Sequence, residues 1–222
     1  MMPAFALERT QEILYEFNDL VEHKKIPQIP IFLDSPLAIK LTAVYQKYSK
    51  DPVYFDEKAI RLIRGGDAIF DFPGLQMTLT TLQSRQIARV MPPKVIIAGA
   101  GMSNGGRIIH HEKDYLSDPK SAILFVGYQA KGSLGRRILE GARAVKILGE
   151  EVPVRCRKEE IQGYSAHADQ NELIHWLSYM KKAKRVFVVQ GESQEAGALA
   201  GRTREELLLN VAIPKPGEVV KL

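Results

Sequence analysis

The sequence is poor in cysteine and in long apolar runs. Its 222 residues include one cysteine, Cys156, which excludes an internal disulfide and indicates a reducing compartment. No apolar run approaches the roughly 18 to 20 residues that a membrane-spanning helix needs. The N-terminal stretch lacks the layout of a signal peptide. We therefore expect a cytoplasmic localisation and no membrane partner.

Several motifs of catalytic chemistry are also absent from the sequence. It has no H-x-H-x-D-H, H-E-x-x-H or C-x-x-C pattern, so local spacing does not assemble a zinc site. It has no Gly-Lys-Ser or Gly-Lys-Thr, which excludes a Walker phosphate loop. Gly99, Gly101 and Gly105 do not fit G-x-G-x-x-G, and no acidic residue follows the next predicted strand. The spacing therefore argues against a nicotinamide cofactor.

The composition is that of an ordinary globular protein, since 45% of the residues are hydrophobic and 26% are charged. A net charge of +5 tilts the chain mildly toward anionic partners. Basic clusters at 181–185 and at Arg136 and Arg137 fit either phosphate contacts or solvated faces. The length allows one large domain or two small ones.

A unit of buried strand, polar loop and helix recurs along the first two thirds of the sequence. Predicted strands at 28–33, 94–98 and 121–126 each run into such a loop, and this pattern predicts a parallel α/β sheet. Ligands of such sheets bind beyond the carboxyl ends of the strands. Asp34 and the glycine-rich loops 99–106 and 127–135 therefore form one predicted crevice. The alternative is that the glycines only make turns and that Asp34 only caps a helix.

The pattern changes near residue 145, which we predict to divide a domain at 1–145 from one at 146–222. A hairpin is predicted at 144–148 and 152–157. A polar loop containing His167 follows, and then a strand that ends at Gln190. A helix at 203–210 and a strand at 218–222 complete the prediction.

The polar residues of the loops suit an anionic ligand. Backbone N–H groups at a helix N-terminus favour phosphate, and Ser103, Asn104 and Arg107 add donors to the first glycine-rich loop. The adjacent His110 and His111 point to different faces of a helix and cannot form an i, i+4 metal pair, although one of them can reach the crevice. His167, flanked by polar residues in its loop, fits a functional and a structural role equally well.

A series of motifs makes the chain similar to a known family. In order along the sequence they are Pro3 to Leu14, Leu33-Asp34-Ser35-Pro36-Leu37-Ala38, Gly101-Met102-Ser103-Asn104-Gly105-Gly106-Arg107, Phe125 to Gln129 with Gly132 to Arg136, Ser165-Ala166-His167-Ala168-Asp169 and Pro216 to Val220. The chain resembles the carboxyl-terminal portion of β-CASP ribonucleases of the metallo-β-lactamase superfamily, relatives of the cleavage and polyadenylation endonuclease.

This resemblance implies a fold and a set of site residues. The fold is a parallel-sheet β-CASP domain followed by the carboxyl-terminal segment of an αββα metallo-β-lactamase domain. Asp34 matches an acid beside the metal centre, and His167 matches a general acid or phosphate-contacting group; both are predicted to be catalytic. The predicted RNA- and phosphate-binding residues are Ser35, Ser103, Asn104, Arg107, Tyr128, Gln129, Ser133, Arg136 and Ser165.

The chain departs from the family pattern in two ways. The H-x-H-x-D-H segment and further ligands of the family lie upstream of the part that this chain matches. Gln190 stands where the family has a histidine ligand, and a neutral amide oxygen is a poor zinc ligand beside imidazole. We therefore expect zinc in the intact family but none bound by this chain alone, which we expect to be inactive.

The leading interpretation is a partial chain of an RNA-processing nuclease, with RNA as its partner. A homodimer, or a second chain that carries the missing half, would complete it. The main alternative is a non-catalytic RNA-binding or assembly subunit. A third is a small-molecule enzyme that uses the α/β crevice, and the salt dependence of RNA binding separates it from the other two.

Overall fold

The computed structural model describes residues 1–165 and 167–220 and divides the chain into two compact units, Met1–Ser165 and Ala166–Leu222. None of the described helices is long and apolar enough to cross a membrane. The helices of the first unit are α1 (Arg9–Glu22), α2 (Pro36–Tyr48), α3 (Glu57–Arg64), α4 (Thr81–Gln86), α5 (Ile108–Tyr115) and α6 (Leu134–Leu139). Its strands are β1 (Met2–Pro3), β2 (Ile31–Asp34), β3 (Leu75–Met77), β4 (Val95–Ala98), β5 (Ala122–Phe125), β6 (Ala144–Ile147), β7 (Glu150–Pro153) and β8 (Arg157–Glu160).

The centre of the first unit is a parallel sheet. Four strands pair in the order β1-β4-β2-β3, and each pair is parallel. The backbone N–H of Leu124 donates to the Met1 carbonyl at 2.9 Å, which brings β5 alongside β1, and β5 pairs in parallel with β8. The strands thus run in the order β3-β2-β4-β1-β5-β8. The prediction of an α/β fold with a parallel sheet is confirmed.

Helices cover both faces of this sheet, so its central strands β2 and β4 are buried on both sides. Ile31 and Leu33 of β2 belong to a core that also contains Leu14 of α1. Phe32, which lies between them, belongs to a different core with Ile108 of α5. The alternation along β2 therefore assigns odd residues to the α1 face and even residues to the α5 face.

The helix starts follow from local sequence. The Ser35 hydroxyl accepts a hydrogen bond from the Ala38 N–H at 3.3 Å, and Pro36 occupies the first helical position of α2. The Asp56 carboxylate caps α3 in the same way, at 2.7 Å from the Ala59 nitrogen. The Ser35 cap fixes where the chain turns from β2 into α2, directly after Asp34.

The region after residue 145 contains the predicted hairpin and one strand that the sequence did not indicate. In the hairpin β6 and β7 pair antiparallel, and the second strand is Glu150–Pro153 where 152–157 was predicted. The following strand, β8, has the sequence Arg-Lys-Glu-Glu, whose charge gave no strand signal. Because β8 pairs with β5, residues up to Ser165 pack with the first unit, and the domain boundary near 145 stays a prediction.

The second unit contains the helices α7 (Gln170–Ser178) and α8 (Ser193–Leu207) and the strands β9 (Val186–Phe187) and β10 (Val211–Ala212). The two strands pair in parallel. The strand predicted at 218–222 is wrong over 218–220, because the strand that pairs with β9 comes earlier and a turn closes at Glu218. Positions 221 and 222 lie outside the described residues. Helix α8 begins ten residues earlier than the helix predicted at 203–210.

Candidate functional site

Asp34 lies at the carboxyl end of β2 on the α5 face of the sheet. It is an even-numbered residue of this strand, so it shares its face with Phe32. Its side chain is completely buried. Four side chains from three other segments surround it, namely Thr78, Ser84, Arg107 and His111, and we call the five residues together the Asp34 cluster.

The Asp34 carboxylate accepts four hydrogen bonds within the cluster. Its Oδ1 accepts from the Thr78 hydroxyl at 2.6 Å and from Nη1 of Arg107 at 2.7 Å. Its Oδ2 accepts from the Ser84 hydroxyl at 2.6 Å and lies 2.7 Å from Nε2 of His111. Both oxygens are thus fully engaged by protein groups.

These contacts set the charge state of the carboxyl group. Burial alone would raise the pKa of Asp34. The hydrogen bonds from His111, Ser84, Thr78 and Arg107 outweigh burial and hold the pKa well below its usual range. Asp34 is therefore an anion at any pH near neutrality.

Arg107 also joins the cluster to the segment that follows β3. Its Nη1 donates to the Thr78 carbonyl at 2.8 Å and its Nη2 donates to the Leu79 carbonyl at 3.0 Å. The side chain is 19% exposed. We predicted from the sequence that this guanidinium binds phosphate. In the structure most of its hydrogen bonds instead connect the strand ends of β2, β3 and β4.

The sequence left three members of the cluster unassigned, namely Thr78, Ser84 and His111. One signal for His111 was present: it lies four residues after Arg107, so the two share one side of α5. The catalytic role of Asp34 stays a prediction. Its four hydrogen bonds make it the anchor of these strand ends.

The two glycine-rich loops, 99–106 and 127–135, are bonded to each other. Nε2 of Gln129 donates to the carbonyls of Gly101 and Gly127, each at 3.0 Å. The Gly135 N–H donates to the Met102 carbonyl at 3.1 Å. We call the two loops the paired loops. Their contacts confirm by geometry that the strand ends of β4 and β5 meet at one edge.

Two further contacts complete the paired loops. The Asn104 Oδ1 accepts from the Leu134 N–H at 3.0 Å, so one loop caps the helix that follows the other. A Cβ on Gly135 would lie 1.9 Å from Oε1 of Gln129, so only glycine allows that amide to reach across. Nη1 of Arg136 donates to the Gln129 carbonyl at 3.3 Å. The loops thus form one preorganised surface.

A buried carboxyl group holds the first loop from below. The Ser103 hydroxyl donates to Oε1 of Glu112, and both residues are almost completely buried. Burial raises the pKa of Glu112 to about 7, while the Ser103 hydrogen bond and the Met1 ammonium lower it. Oε2 of Glu112 accepts no hydrogen bond. The position therefore suits a neutral carboxylic acid or an amide.

We expect Glu112→Gln to remove a pH dependence of stability. The pKa of Glu112 rises from its ordinary 4.5 to about 7 on folding, so the folded chain holds a proton that the unfolded chain releases in this window. Stability therefore falls as the pH rises from about 4.5 through 7. At pH 8 the variant should be more stable than the parent by up to roughly 3 kcal/mol, and near pH 4.5 the two should be equal.

Urea unfolding between pH 4.5 and 8.5 measures this difference. Glu57 is the matched control, because it is an exposed glutamate on α3 and the same change there should leave the pH profile unaltered. A difference between Glu112→Gln and the parent that stays constant with pH would contradict the assignment.

Apart from Arg107, which belongs to the Asp34 cluster, the structure separates the predicted RNA-binding residues into two groups. Ser35, Ser103, Gln129 and Ser133 are buried and serve as helix caps or loop contacts. Asn104, Tyr128 and Ser165 are exposed, and Arg136 is partly exposed. The second group lies on the surface of the first unit, where an RNA chain can reach it. Serine and glutamine at a loop carry no sequence signal that separates capping from ligand binding.

His167 and Gln190 belong to the second unit. His167 is exposed, in a bend before the Asp169 carboxylate that caps α7 through the Glu172 N–H at 2.8 Å. Gln190 is exposed beyond β9, with a positive φ of 63° in the turn that leads to α8. The combination of Asp34 and His167 in one site stays a prediction.

The described residues do not fit a metal centre. Over 1–165 and 167–220 no group of three histidine, cysteine, aspartate or glutamate side chains is placed to hold a metal ion. Asp34, the acid that the resemblance placed beside the metal, has all its lone pairs directed at protein donors. Its carboxylate therefore orders the strand ends, and its place beside a metal centre stays a prediction.

Comparison with known proteins gives two domain matches. Residues 10–138 match the model of the Beta-Casp domain, and residues 151–214 match that of the Zn-dependent metallo-hydrolase RNA specificity domain. The first match covers more than half of the chain. The second is described as an RNA specificity domain of Zn-dependent metallo-hydrolases.

Curated relatives agree with these matches. The chain is 42% identical to Ribonuclease TTHA0252 of Thermus thermophilus over 200 residues. The aligned region covers 90% of this chain and 44% of that protein. It is 28% identical over 222 residues to the RNase J-like protein of Methanocaldococcus jannaschii, covering 100% of this chain and 50% of the relative. It is also 28% identical over 229 residues to Transcription termination factor FttA of Methanosarcina mazei, where the shares are 100% and 35%. The chain thus spans half or less of these relatives.

Proposed function

We propose that this chain, which belongs to the β-CASP family of the metallo-β-lactamase superfamily, forms the RNA-binding face of an RNA-processing nuclease. Its relatives include proteins named as ribonucleases. The reaction proposed for the intact enzyme is phosphodiester hydrolysis. Because the chain spans only part of those relatives, the catalytic metal would be held largely by residues outside it.

The observation that carries the proposal is the paired loops. They stand at the carboxyl ends of β4 and β5, where ligands of parallel α/β sheets bind. Buried polar contacts fix their shape, and they present Asn104, Tyr128 and Arg136 on the outside. A rigid loop surface with an amide, an aromatic ring and a guanidinium suits a chain of phosphates and bases.

The chain itself would contribute positioning rather than metal chemistry. The Asp34 cluster holds three strand ends in register, and the paired loops hold the RNA against them. A homodimer, or a chain that carries the missing ligands, would complete the catalytic site. The alternative of a binding or assembly subunit is favoured by Gln190 at a ligand position, and RNA cleavage assayed together with metal analysis distinguishes the two.

We expect Arg136→Gln to weaken RNA binding about tenfold and to reduce the salt slope of log K by about 1, the effect of losing one phosphate contact. The measurement is fluorescence anisotropy of a labelled single-stranded RNA with this 222-residue chain, repeated over a series of salt concentrations. Binding must weaken as salt rises, since counterion release drives it.

Arg61 provides a matched control. Both arginines lie on a helix and form an ion pair with a glutamate, which lies four residues earlier for Arg61 and four residues later for Arg136. Arg61 belongs to α3, however, and not to the paired loops. Arg61→Gln should leave both the affinity and the slope unchanged. Equal losses from the two variants would show that only net charge matters and would refute the assigned face.

A further inference from the structure

Two exposed aromatic residues follow adjacent strands at their carboxyl ends. Phe5 follows β1 and is 46% exposed, and Tyr128 follows β5 and is 57% exposed. The strands lie side by side through the hydrogen bond from Leu124 to Met1. Neither ring is needed to fill the core, because both present about half of their surface to solvent.

Phe5 is held by direct contact with the first glycine-rich loop. A Cβ on Gly101 would lie 2.8 Å from Cδ2 of the Phe5 ring and 2.9 Å from its backbone nitrogen. The Phe5 carbonyl is fixed from the other side by the Thr10 hydroxyl at 2.7 Å. Gly101 is also the residue whose carbonyl accepts from Gln129, so the ring lies next to the contact that joins the paired loops.

A third aromatic residue, Tyr164, is linked to this part of the surface by its contact with Arg9. The Arg9 guanidinium lies over the Tyr164 ring, 5.3 Å from its centroid. The position of a Cβ on Gly127 is 3.8 Å from Nε of Arg9, which places the guanidinium beside the residue that precedes Tyr128. Arg9 is also paired with Glu12 and is only 14% exposed, so it is a rigid element of the surface.

We propose that Phe5 and Tyr128, supported by Arg9 and Tyr164, form a platform on which unpaired bases of single-stranded RNA stack. We call these four residues the aromatic platform. The proposal rests on the proposed function, because it names the part of the RNA that this face contacts. Every base has a π-face, so stacking on such rings holds a strand with little preference for sequence.

The neighbouring groups favour RNA over an apolar protein partner. Nη1 of Arg136 lies 3.3 Å from the carbonyl of Gln129, so a cation lies beside the backbone that follows Tyr128. The net charge of +5 favours a polyanion. Exposed rings for bases and a cation for phosphates on the same loops are the combination that single-stranded nucleic acids bind.

The test uses the 222-residue chain and a fluorescein-labelled oligouridylate. Tyr128→Ala should weaken binding roughly tenfold, the usual loss of one stacked base. The loss should be the same at every salt concentration and leave the salt slope unchanged, because stacking releases no counterions. Tyr128→Phe should bind like the parent. Tyr54→Ala removes an equally exposed tyrosine elsewhere in the unit and should have no effect.

Inorganic polyphosphate separates base contacts from charge, since it has phosphates but no bases. Tyr128→Ala should bind it as the parent does. Equal weakening for polyphosphate and oligouridylate, or an unchanged oligouridylate affinity, would overturn the platform while leaving RNA binding intact. A parent chain that fails to bind oligouridylate at low salt would overturn the proposed function, and the platform with it.

Discussion

Gly106→Ala is expected to destabilise the first unit by about 3–5 kcal/mol and to abolish RNA binding. Gly106 has a φ of 72°, and a Cβ there would lie 2.3 Å from the Gly99 carbonyl oxygen and 2.8 Å from the Ala100 nitrogen. The substitution therefore combines left-handed backbone strain with an overlap against main chain that cannot move away. Urea unfolding and RNA anisotropy measure the two effects.

Gly132 provides a control that separates strain from overlap. Its φ of 87° is similarly left-handed, but no atom lies within 4 Å of its Cβ position. Gly132→Ala should therefore cost only the backbone strain, about 1–2 kcal/mol. Equal destabilisation by the two variants would show that the close approach of Gly106 to Gly99 contributes nothing, against the geometry of the loop.

Asp34→Asn should destabilise the first unit by about 3–5 kcal/mol at pH 7, the usual result of removing one partner of a buried ion pair. The amide loses the charge that faces Arg107 and His111, and its NH₂ group meets donors where the carboxylate accepted. Asp19 is the control, because its pair with Lys25 is on the surface and Asp19→Asn should leave the unfolding midpoint nearly unchanged.

The pH dependence of the parent gives an independent check of Asp34. Its pKa is lowered on folding, so its stabilising contribution is complete above the ordinary aspartate pKa and is lost as the pH falls below that value. The stability of the parent should therefore decline from about pH 4 downward, and that of Asp34→Asn should decline less. Parallel profiles would contradict the arrangement of the Asp34 cluster.

The parallel sheet was predictable because its strands are short apolar runs that end in polar loops. Burial on both faces makes strands such as β2 and β4 continuously hydrophobic, and this pattern is visible in sequence. The strand β8 was not predictable, because its Arg-Lys-Glu-Glu sequence reflects exposure at the edge of the sheet. Its partner β5 determines its structure, and pairing between distant segments leaves no local signal.

The candidate site was predictable in position but not in the roles of its residues. Strand ends placed Asp34 and both glycine-rich loops at one edge, where the structure has them. Local sequence did not show that Gln129 and Ser103 face inward, because the same side chains serve equally well as donors to a ligand. It also did not reveal Phe5, whose role depends on the contact with Gly101.

The short helix α5 has a consequence for cooperativity. His111 contacts Asp34 on β2, and the next residue, Glu112, contacts Ser103 in the first glycine-rich loop. Eight residues rise only about 12 Å, so both anchors act on one rigid rod. The helix cannot fray without releasing the strand end and the loop together. We therefore expect α5 to unfold locally only together with the strand end and the loop, as one cooperative unit. The first glycine-rich loop should then open as slowly as the sheet does.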